Sequence, residues 1–349
     1  MTLCQRAVIP NFLLERLRQS QDLEIAEAAD HTIDLNAQIA RARNAALRQS
    51  GSPGRGRTGL RRVIRDCEQT NDLNSRTVKS EGDSESSDPS VENAYRNTGL
   101  TWRFFKEVFG RESVDNLGMT LASSVHYGRQ YENAFWNGNQ MVFGDGDGGK
   151  VFVDFSGVLD VVAHEMSHGI TQFSSRLDYH GQTGALNESF SDVFGIMTKQ
   201  WARQEVGEAA NWLFGDELLV PVPTRRALRD MRAPGTAFKG DPDLGDDPQP
   251  AHMRDYKKTE DDDGGVHINS GIPNRAFYLA CMNLGGPSWE KAGRIWYLAL
   301  TRPLPSSADF LKCAQVTISV AGEVYDDAAA QAVAAAWNEV GVVVSGGSS

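Results

Sequence analysis

Apolar and polar positions alternate with a helical period at the start of the chain. Between residues 11 and 48 the apolar positions recur close to every 3.6 residues, which predicts helical structure. These positions are Leu13, Leu14, Leu17, Ile25, Ala28, Ala29, Ile33, Leu35 and Ile39. The stretch Gln49–Gly59 then breaks the periodicity with four glycines and a proline. Such a stretch is typical of an exposed linker that proteases can cut.

Further along the chain the pattern changes from mixed to mainly helical. A polar stretch, Lys79–Ser90, predicts a surface loop, and residues 91–118 carry aromatic anchors at helical spacing. Residues 119–155 alternate short apolar runs with glycine-rich turns, which predicts strands. Beyond Ser156 the pattern is mostly helical, with polar loops at 221–226 and 233–264. The chain is therefore expected to be an α+β protein with a strand-rich lobe before a helical lobe.

Composition and charge narrow the possible partners. The 349 residues are 40% apolar and 23% charged, which fits two or three folded domains and excludes wholesale disorder. With 35 Lys and Arg against 46 Asp and Glu, the net charge of −11 disfavours nucleic acid and anionic membranes as main partners. No run of about 18 apolar residues predicts a membrane span.

The N-terminal residues and the cysteines bear on the cellular compartment. The start of the chain turns polar after Leu14 and lacks a small-residue cleavage site, so no secretory signal is expected. The four cysteines, Cys4, Cys67, Cys281 and Cys313, are widely spaced, which predicts buried or free thiols rather than a disulfide framework.

The segment VVAHEMSH carries the strongest chemical signal. His164 and His168 are four residues apart, so on a helix their imidazoles share one face and can bind one cation. The alternative is a pair of solvated or core histidines. The apolar run before His164 suits a buried helix.

A second pair of residues strengthens the metal interpretation. Glu188 and Asp192 are also four residues apart, in NESFSD. Two histidines, one glutamate and an open position for water form the usual catalytic zinc site. Asp192 is spaced to accept the outer N–H of a ligating histidine. The alternative for these two acids is an ordinary exposed helix face.

Longer motifs carry a family resemblance. Residues 132–195 and 264–278 resemble the thermolysin-like zinc metallopeptidases, and the match continues in register over about 60–345. The matching sequences are ENAFWNGNQMVFGDGDGG, DVVAHEMSHGIT, LDYHGQTGALNESFSDVFG and GGVHINSGIPNRAFY. The resemblance implies a two-lobed zincin fold, with the HEMSH helix between a strand-rich N-terminal lobe and a mainly helical C-terminal lobe.

The resemblance also implies a role for each matching residue. His164, His168 and Glu188 would bind one catalytic Zn²⁺, and Glu165 would be the general base. Tyr179 and His267 would stabilise the oxyanion, with Asp262 orienting His267. The implied substrate contacts are Asn133, Ala134 and Arg229 for the backbone, and Phe152, Phe155, Val161 and Leu228 for an apolar pocket. That pocket would receive the side chain after the scissile bond, although these four can equally be core residues.

The calcium ligands of the family are only partly present. Asp160 and Asp216 match two ligands of the double calcium site, but Lys199 stands at an acidic position, with Asn211 and Leu213 at others. An ammonium cannot ligate a cation, so this double site is predicted absent. GDGDGG is not expected to begin an EF-hand. Counted from Asp145, the twelfth position is Ser156, whereas an EF-hand has a glutamate there. DPDLGDD and EDDD are expected to be solvated loops, with a single weak Ca²⁺ left open.

The N-terminal 50 residues resemble the short propeptide of protealysin-like members. VIPNFLLERL matches their IPP-x-L-L segment, except that Asn11 replaces the second proline. We expect this propeptide to cover the cleft as an intramolecular inhibitor until the linker is cut. Cys4 is either a fourth ligand of the zinc or a free thiol.

These expectations define three segments and one function. They are a propeptide over residues 1–50 with its boundary within 48–60, an N-terminal lobe over 51–179, and a C-terminal lobe over 180–345. The expected function is a zinc endopeptidase, made as a zymogen, that cleaves peptides and proteins before hydrophobic residues. The alternatives are a zinc aminopeptidase or other amidase, and a non-catalytic binding protein. The family suggests secretion by a non-classical route, with a cytoplasmic location as the alternative.

Overall fold

The computed structural model describes residues 7–46, 58–302 and 304–344. Cys4 and nearly all of the predicted linker lie outside this range. The N-terminal segment, called the leader below and comprising residues 7–46, forms two helices, α1 (Asn11–Leu17) and α2 (Leu23–Ala46). Helical structure is therefore confirmed, but it is interrupted. The side chain of Asp22 accepts the N–H of Glu24, a local bond that competes with helix continuation.

A five-stranded sheet forms the N-terminal lobe. Its strands are β1 (Arg62–Asp66), β2 (Arg76–Ser80), β3 (Leu121–Val125), β4 (Ala134–Trp136) and β5 (Met141–Phe143). The strand order is β2-β1-β3-β5-β4, with parallel pairs β1/β3 and β3/β5 and antiparallel pairs at both edges. The sequence pattern predicted β3 to β5 and missed β1 and β2. Lys79 and Ser80, expected in a loop, belong to β2.

The helix α3 (Pro89–Phe109) follows the sheet edge. Asp88 caps its start by accepting the N–H groups of Ser90 and Val91. Gly110, with φ 70°, ends α3, because a residue in the left-handed conformation stops the helix. The helix is therefore shorter than the range 91–118 that the sequence predicted.

Two buried helices, α4 (Leu159–Gln172) and α5 (Gly181–Arg203), lie at the centre of the molecule. Their close approach depends on Gly195. A Cβ atom there would lie 2.7 Å from the carbonyl oxygen of Asp160 and 3.0 Å from the Phe214 ring. Only glycine fits this crossing, and the crossing sets the distance between side chains of the two helices.

The C-terminal lobe is mainly helical, as expected. Its helices are α6 (Asp262–Asn269), α7 (Gly271–Leu284), α8 (Lys291–Thr301), α9 (Phe310–Val324) and α10 (Asp327–Glu339). A two-stranded sheet, β6 (Leu213–Phe214) with β7 (Arg229–Asp230), connects this lobe to α5. Trp296 and Trp337 stack in parallel within the helical core.

Three of the four cysteines lie within the described residues. Cys67, Cys281 and Cys313 are buried free thiols. Within the described parts of the chain, none of the helices combines the length and the apolar character that crossing a membrane requires.

His126 links two segments of the N-terminal lobe. Its Nδ1 lies 2.8 Å from Asp145 Oδ1 and its Nε2 lies 3.0 Å from Asp88 Oδ2. The hydrogen bond with Asp145 and the contact with Asp88 raise the pKa of His126 to about 9, against the effect of partial burial. The imidazolium thus ties the capping residue of α3 to the GDGDGG loop.

Replacing His126 with asparagine is expected to destabilise the protein in a pH-dependent way. Asparagine tolerates the left-handed φ of 53° at this position, so the main loss is the charge. Because the folded pKa lies above the ordinary 6.5, the stabilisation is complete below about pH 6.5 and disappears as the pH rises through about 9. Urea unfolding should show a loss of about 1–2 kcal/mol at pH 6 and a much smaller one at pH 9.5. An equal loss at both pH values, or an equal loss in the exposed-site control His31→Asn, would contradict this.

Candidate metal centre

His164, His168 and Glu188 converge between α4 and α5. Their ligand atoms all lie within 4.8 Å of one another, and the three side chains are buried. The two Nε2 atoms are 3.1 Å apart, and Glu188 oxygens lie 3.4 and 3.5 Å from them. No other group of three or more His, Cys, Asp or Glu ligand atoms in the described residues is this compact.

Hydrogen bonds behind the histidines orient both rings toward the centre. His164 Nδ1 lies 2.9 Å from Asp192 Oδ1, and His168 Nδ1 lies 3.0 Å from Asn187 Oδ1. Both partners are acceptors, so each ring carries its proton on Nδ1 and presents the Nε2 lone pair. The position of Asp192 agrees with the sequence-based expectation. Asn187 was not predicted, although it directly precedes Glu188.

Asp192 is itself held by two further residues. Arg229 forms a bidentate ion pair with it, in which Nε donates to Oδ2 at 2.7 Å and Nη2 donates to Oδ1 at 2.8 Å. The side-chain amide of Asn274 also donates to Oδ2, at 2.8 Å. Although burial opposes ionisation, the Arg229 guanidinium and His164 hold the pKa of Asp192 below its usual range. The carboxylate is therefore charged and strengthens His164 as a ligand. Asn274 is a second residue that the sequence analysis missed.

The donor set fits a zinc ion. Two imidazole nitrogens and one carboxylate are the ligands that a catalytic zinc site uses. Glu188 Oε2 is buried and makes no hydrogen bond among the described residues, so its lone pairs are available to a metal ion. These three residues would hold the metal.

Glu165 lies on the same helix, directly after His164. It is fully buried, and neither of its carboxylate oxygens makes a hydrogen bond with a described residue. Burial raises the pKa of Glu165 to about 8. A buried carboxyl group without a structural partner is a typical candidate for proton transfer.

Tyr179, His267 and Asp262 lie on the other side of the centre. The Tyr179 hydroxyl donates to Glu188 and lies 3.4 Å from His267 Nε2. Asp262 accepts from His267 Nδ1 at 2.6 Å and from its backbone N–H at 2.8 Å. The carboxylate can fold back in this way because the turn before His267 is left-handed, with φ values of 53°, 48°, 83° and 76° from Asp262 to Gly265.

The leader crosses the site as an extended segment, Ala7–Ile9. Val8 N–H donates to the carbonyl of Ala134 at 3.1 Å. Asn133 accepts the N–H of Ile9 at 2.9 Å and donates to its carbonyl at 2.8 Å. Arg229 Nη1 lies 3.4 Å from the carbonyl oxygen of Val8. The three residues expected to contact a substrate backbone therefore contact the backbone of the leader.

The four apolar residues expected around the specificity pocket are all buried. Phe152 and Phe155 pack with ring centroids 5.7 Å apart. Phe152, Phe155, Val161, Leu228 and the leader residue Val8 belong to one continuous hydrophobic cluster. Since this cluster also contains much of the core, their role in specificity stays a prediction.

Lys199 occupies the position between Asp160 and Asp216. Its Nζ lies 2.6 Å from Asp160 Oδ2, 2.8 Å from Asp216 Oδ1 and 2.6 Å from the carbonyl oxygen of Leu213. Although burial opposes the charge, the two carboxylates raise the pKa of Lys199, so it is an ammonium. Lys199 therefore pairs with both carboxylates, while the absence of calcium stays a prediction.

Acids in the other two stretches bind protein groups. In DPDLGDD, Asp241 pairs with Arg225 at 2.7 Å, and Asp247 accepts N–H groups from Gly235, Ala237 and Gln249. In EDDD, Asp262 binds His267 as described. Whether any of these stretches also holds calcium stays a prediction.

The fold and this centre together define the class of a zinc-dependent metallopeptidase. Residues 30–172 match the family described as thermolysin metallopeptidase, catalytic domain, and residues 175–342 match its alpha-helical domain. The chain therefore belongs to the thermolysin family of metallopeptidases. The first match begins inside α2, so the segment boundaries given above remain predictions.

Individual proteins agree with the family assignment. An extracellular metalloprotease of Pectobacterium carotovorum subsp. carotovorum is 52% identical over 284 residues, which cover 81% of each chain. Protease PrtS of a Photorhabdus species is 45% identical over 288 residues, or 82% of this chain and 77% of that protein. The precursor of protealysin from Serratia proteamaculans superposes with a TM-score of 0.88 at 45% identity, over 97% of this chain and 100% of that chain.

These similarities confirm the predicted family, the two-lobed fold and the enzyme class. The chain is a zinc metalloendopeptidase of the thermolysin type, made as a precursor.

Proposed function

We propose that Glu165 is the general base of peptide hydrolysis at the His164, His168 and Glu188 centre. The observation that carries this proposal is the buried carboxyl group of Glu165, which makes no hydrogen bond with a described residue and belongs to the residue directly after His164. A bound zinc ion would supply Lewis-acid polarisation of the carbonyl and a lowered pKa for water. Glu165 takes the proton from the attacking water and passes it to the leaving amine.

Tyr179 and His267 stabilise the charge that develops on the carbonyl oxygen. His267 donates from Nδ1 to the carboxylate of Asp262, so this ring atom is fixed. Its Nε2 faces the carbonyl oxygen of Ala7 at 2.9 Å, which requires a second N–H. A preorganised donor of this kind is worth a few kcal/mol in the transition state. Asp262 acts through His267 and is a positioning residue.

Specificity follows from the apolar surroundings of the cleft. Phe152, Phe155, Val161 and Leu228 offer no polar group to a side chain, so a hydrophobic residue after the scissile bond is preferred. The leader has valine in this region, at position 8.

The leader is the intramolecular inhibitor of the precursor. Its backbone takes the hydrogen bonds of Asn133, Ala134 and Arg229 that a substrate needs. The apolar face of α1 is buried on the enzyme. We also propose secretion, since a relative that is 52% identical is named an extracellular metalloprotease.

The two rival functions give different results in one experiment. Protein freed of its leader is incubated with casein and with amino-terminally acetylated peptides that differ only in the residue after the cut. We expect internal cuts before Leu, Phe or Val, and cleavage before Asp or Gly that is at least tenfold slower. The chelator 1,10-phenanthroline should abolish cleavage, and added zinc should restore it. Cleavage of free-amine peptides alone would indicate an aminopeptidase. Zinc binding without any cleavage would indicate a binding protein.

A further inference from the structure

The segment Ala7–Ile9 of the leader lies in the cleft as an added strand. Ala7 pairs antiparallel with Phe135 of β4, and Val8 N–H donates to the neighbouring carbonyl of Ala134 at 3.1 Å. Strand addition to a sheet edge is a common way of binding an extended peptide. The amide nitrogen of the Ala7–Val8 bond is therefore held at a fixed place.

The carbonyl oxygen of the same bond faces the metal centre. It lies 2.9 Å from His267 Nε2. That nitrogen is 3.5 Å from Glu188 Oε2 and 3.4 Å from the Tyr179 hydroxyl. The Ala7 carbonyl thus meets the donor that is proposed above to stabilise the oxyanion.

The next two carbonyls of the segment have other partners. The Val8 carbonyl lies beside Arg229, and the Ile9 carbonyl accepts from Asn133. Among Ala7, Val8 and Ile9, the Ala7 carbonyl is the one that contacts the oxyanion donor His267. The register of the segment therefore selects one peptide bond.

From this register we infer that the zinc-loaded precursor hydrolyses its own Ala7–Val8 peptide bond. The inference rests on the proposed function of the same centre. The oxygen of water bonds to the carbonyl carbon of Ala7, and the bond from this carbon to the nitrogen of Val8 breaks. Glu165 carries a proton from the water to the leaving nitrogen. The products are a carboxylate at Ala7 and an ammonium group at Val8, and no other reactant is needed.

This cut differs in consequence from cleavage of the linker Gln49–Gly59. Val8 and the residues after it keep their contacts, because Asn133 still holds Ile9 and the apolar face of α1 stays buried. Asp22 and Glu24 also keep their ion pairs with Lys150. The leader is therefore shortened at its start and still covers the cleft.

The first test follows the precursor itself. Zinc is added to metal-free precursor at several protein concentrations, and intact mass and amino-terminal sequence are followed with time. We expect a new terminus reading Val-Ile-Pro-Asn, formed at a rate independent of concentration. Glu165→Gln should slow its formation at least about 100-fold. A rate that rises with protein concentration would show cleavage between molecules and overturn the inference.

The second test asks whether the Ala7–Val8 peptide bond lies at the metal centre, and it needs no cleavage. The sequence contains two Ala-Val pairs, Ala7–Val8 and Ala332–Val333. Labelling alanine carbonyls with ¹³C and valine nitrogens with ¹⁵N in the Glu165→Gln precursor gives one NMR signal for each pair. Zinc titration should move the Ala7–Val8 signal and leave the signal of Ala332–Val333, in α10, unchanged as the internal reference.

The two hypotheses fail in different ways. No shift at Ala7–Val8 and no Val8 terminus, in a protein that digests casein once its leader is removed, would overturn this inference alone. If the leader-free protein also fails to digest casein with zinc bound, the proposed function fails.

Discussion

Replacing Glu165 with glutamine is expected to lower kcat for peptide cleavage by about 10³-fold, within the range known for removal of a general base. Glutamine has nearly the same shape and keeps the neighbouring ligand His164 in place, but its amide cannot accept the proton of water. The measurement is kcat and KM on an acetylated peptide with the leader-free enzyme. KM should change little, since Glu165 is proposed to act on protons rather than on binding.

Two controls make the Glu165 result interpretable. Zinc content, measured by atomic absorption, should stay at one ion per chain in the variant. Glu107, an exposed residue of α3 paired with Arg103, provides the matched substitution Glu107→Gln, which should leave kcat unchanged. A Glu165→Gln enzyme that holds zinc and keeps more than a tenth of its activity would remove Glu165 from the mechanism.

The second large effect is expected at Lys199. Lys199→Met should lower the free energy of unfolding by about 3–5 kcal/mol, because Asp160 would be left as an uncompensated buried charge. Urea unfolding in a Glu165→Gln background avoids self-digestion during the measurement. The matched control is Lys106→Met, which removes the surface pair with Glu112 and should cost less than about 1 kcal/mol. Equal losses of unfolding free energy in Lys199→Met and Lys106→Met would show that burial of the Lys199–Asp160 pair has no effect on stability.

Calcium adds a separate arm to the same experiment. In the unaltered chain, calcium should add no stability through Asp160 and Asp216, since the Lys199 ammonium already lies between these two carboxylates. In Lys199→Met, millimolar calcium should recover part of the lost stability, because two carboxylates are then free to bind it. A calcium ion bound by Asp160 and Asp216 in the unaltered chain would contradict the predicted absence of the double site.

The metal ligands were predictable because their geometry is local. His164 and His168 share a helix face through their spacing, and Glu188 and Asp192 do so through theirs. Helical periodicity also predicted that the C-terminal lobe is mainly helical, although it gave no bounds for its helices. These features are set by residues that lie within a few positions of one another in the sequence.

Other features depend on contacts between distant parts of the chain. Asn274 reaches Asp192 across 82 positions, and no local pattern marks it. The strands β1 and β2 carry mostly charged or polar residues on partly exposed positions, so their apolar alternation is too weak to read. Docking of the leader was expected, but its register is fixed by contacts such as that between Ile9 and Asn133, 124 residues apart.

Gly195 gives the enzyme an unusual dependence on a residue without a side chain. Exchanging helical glycines for alanine is a routine way to raise thermal resistance. Here the added methyl group would push against the Asp160 carbonyl and force the two central helices apart. The histidines are on one of those helices and Glu188 is on the other, so the affinity for zinc would fall. Efforts to make this protease more robust should therefore leave position 195 untouched.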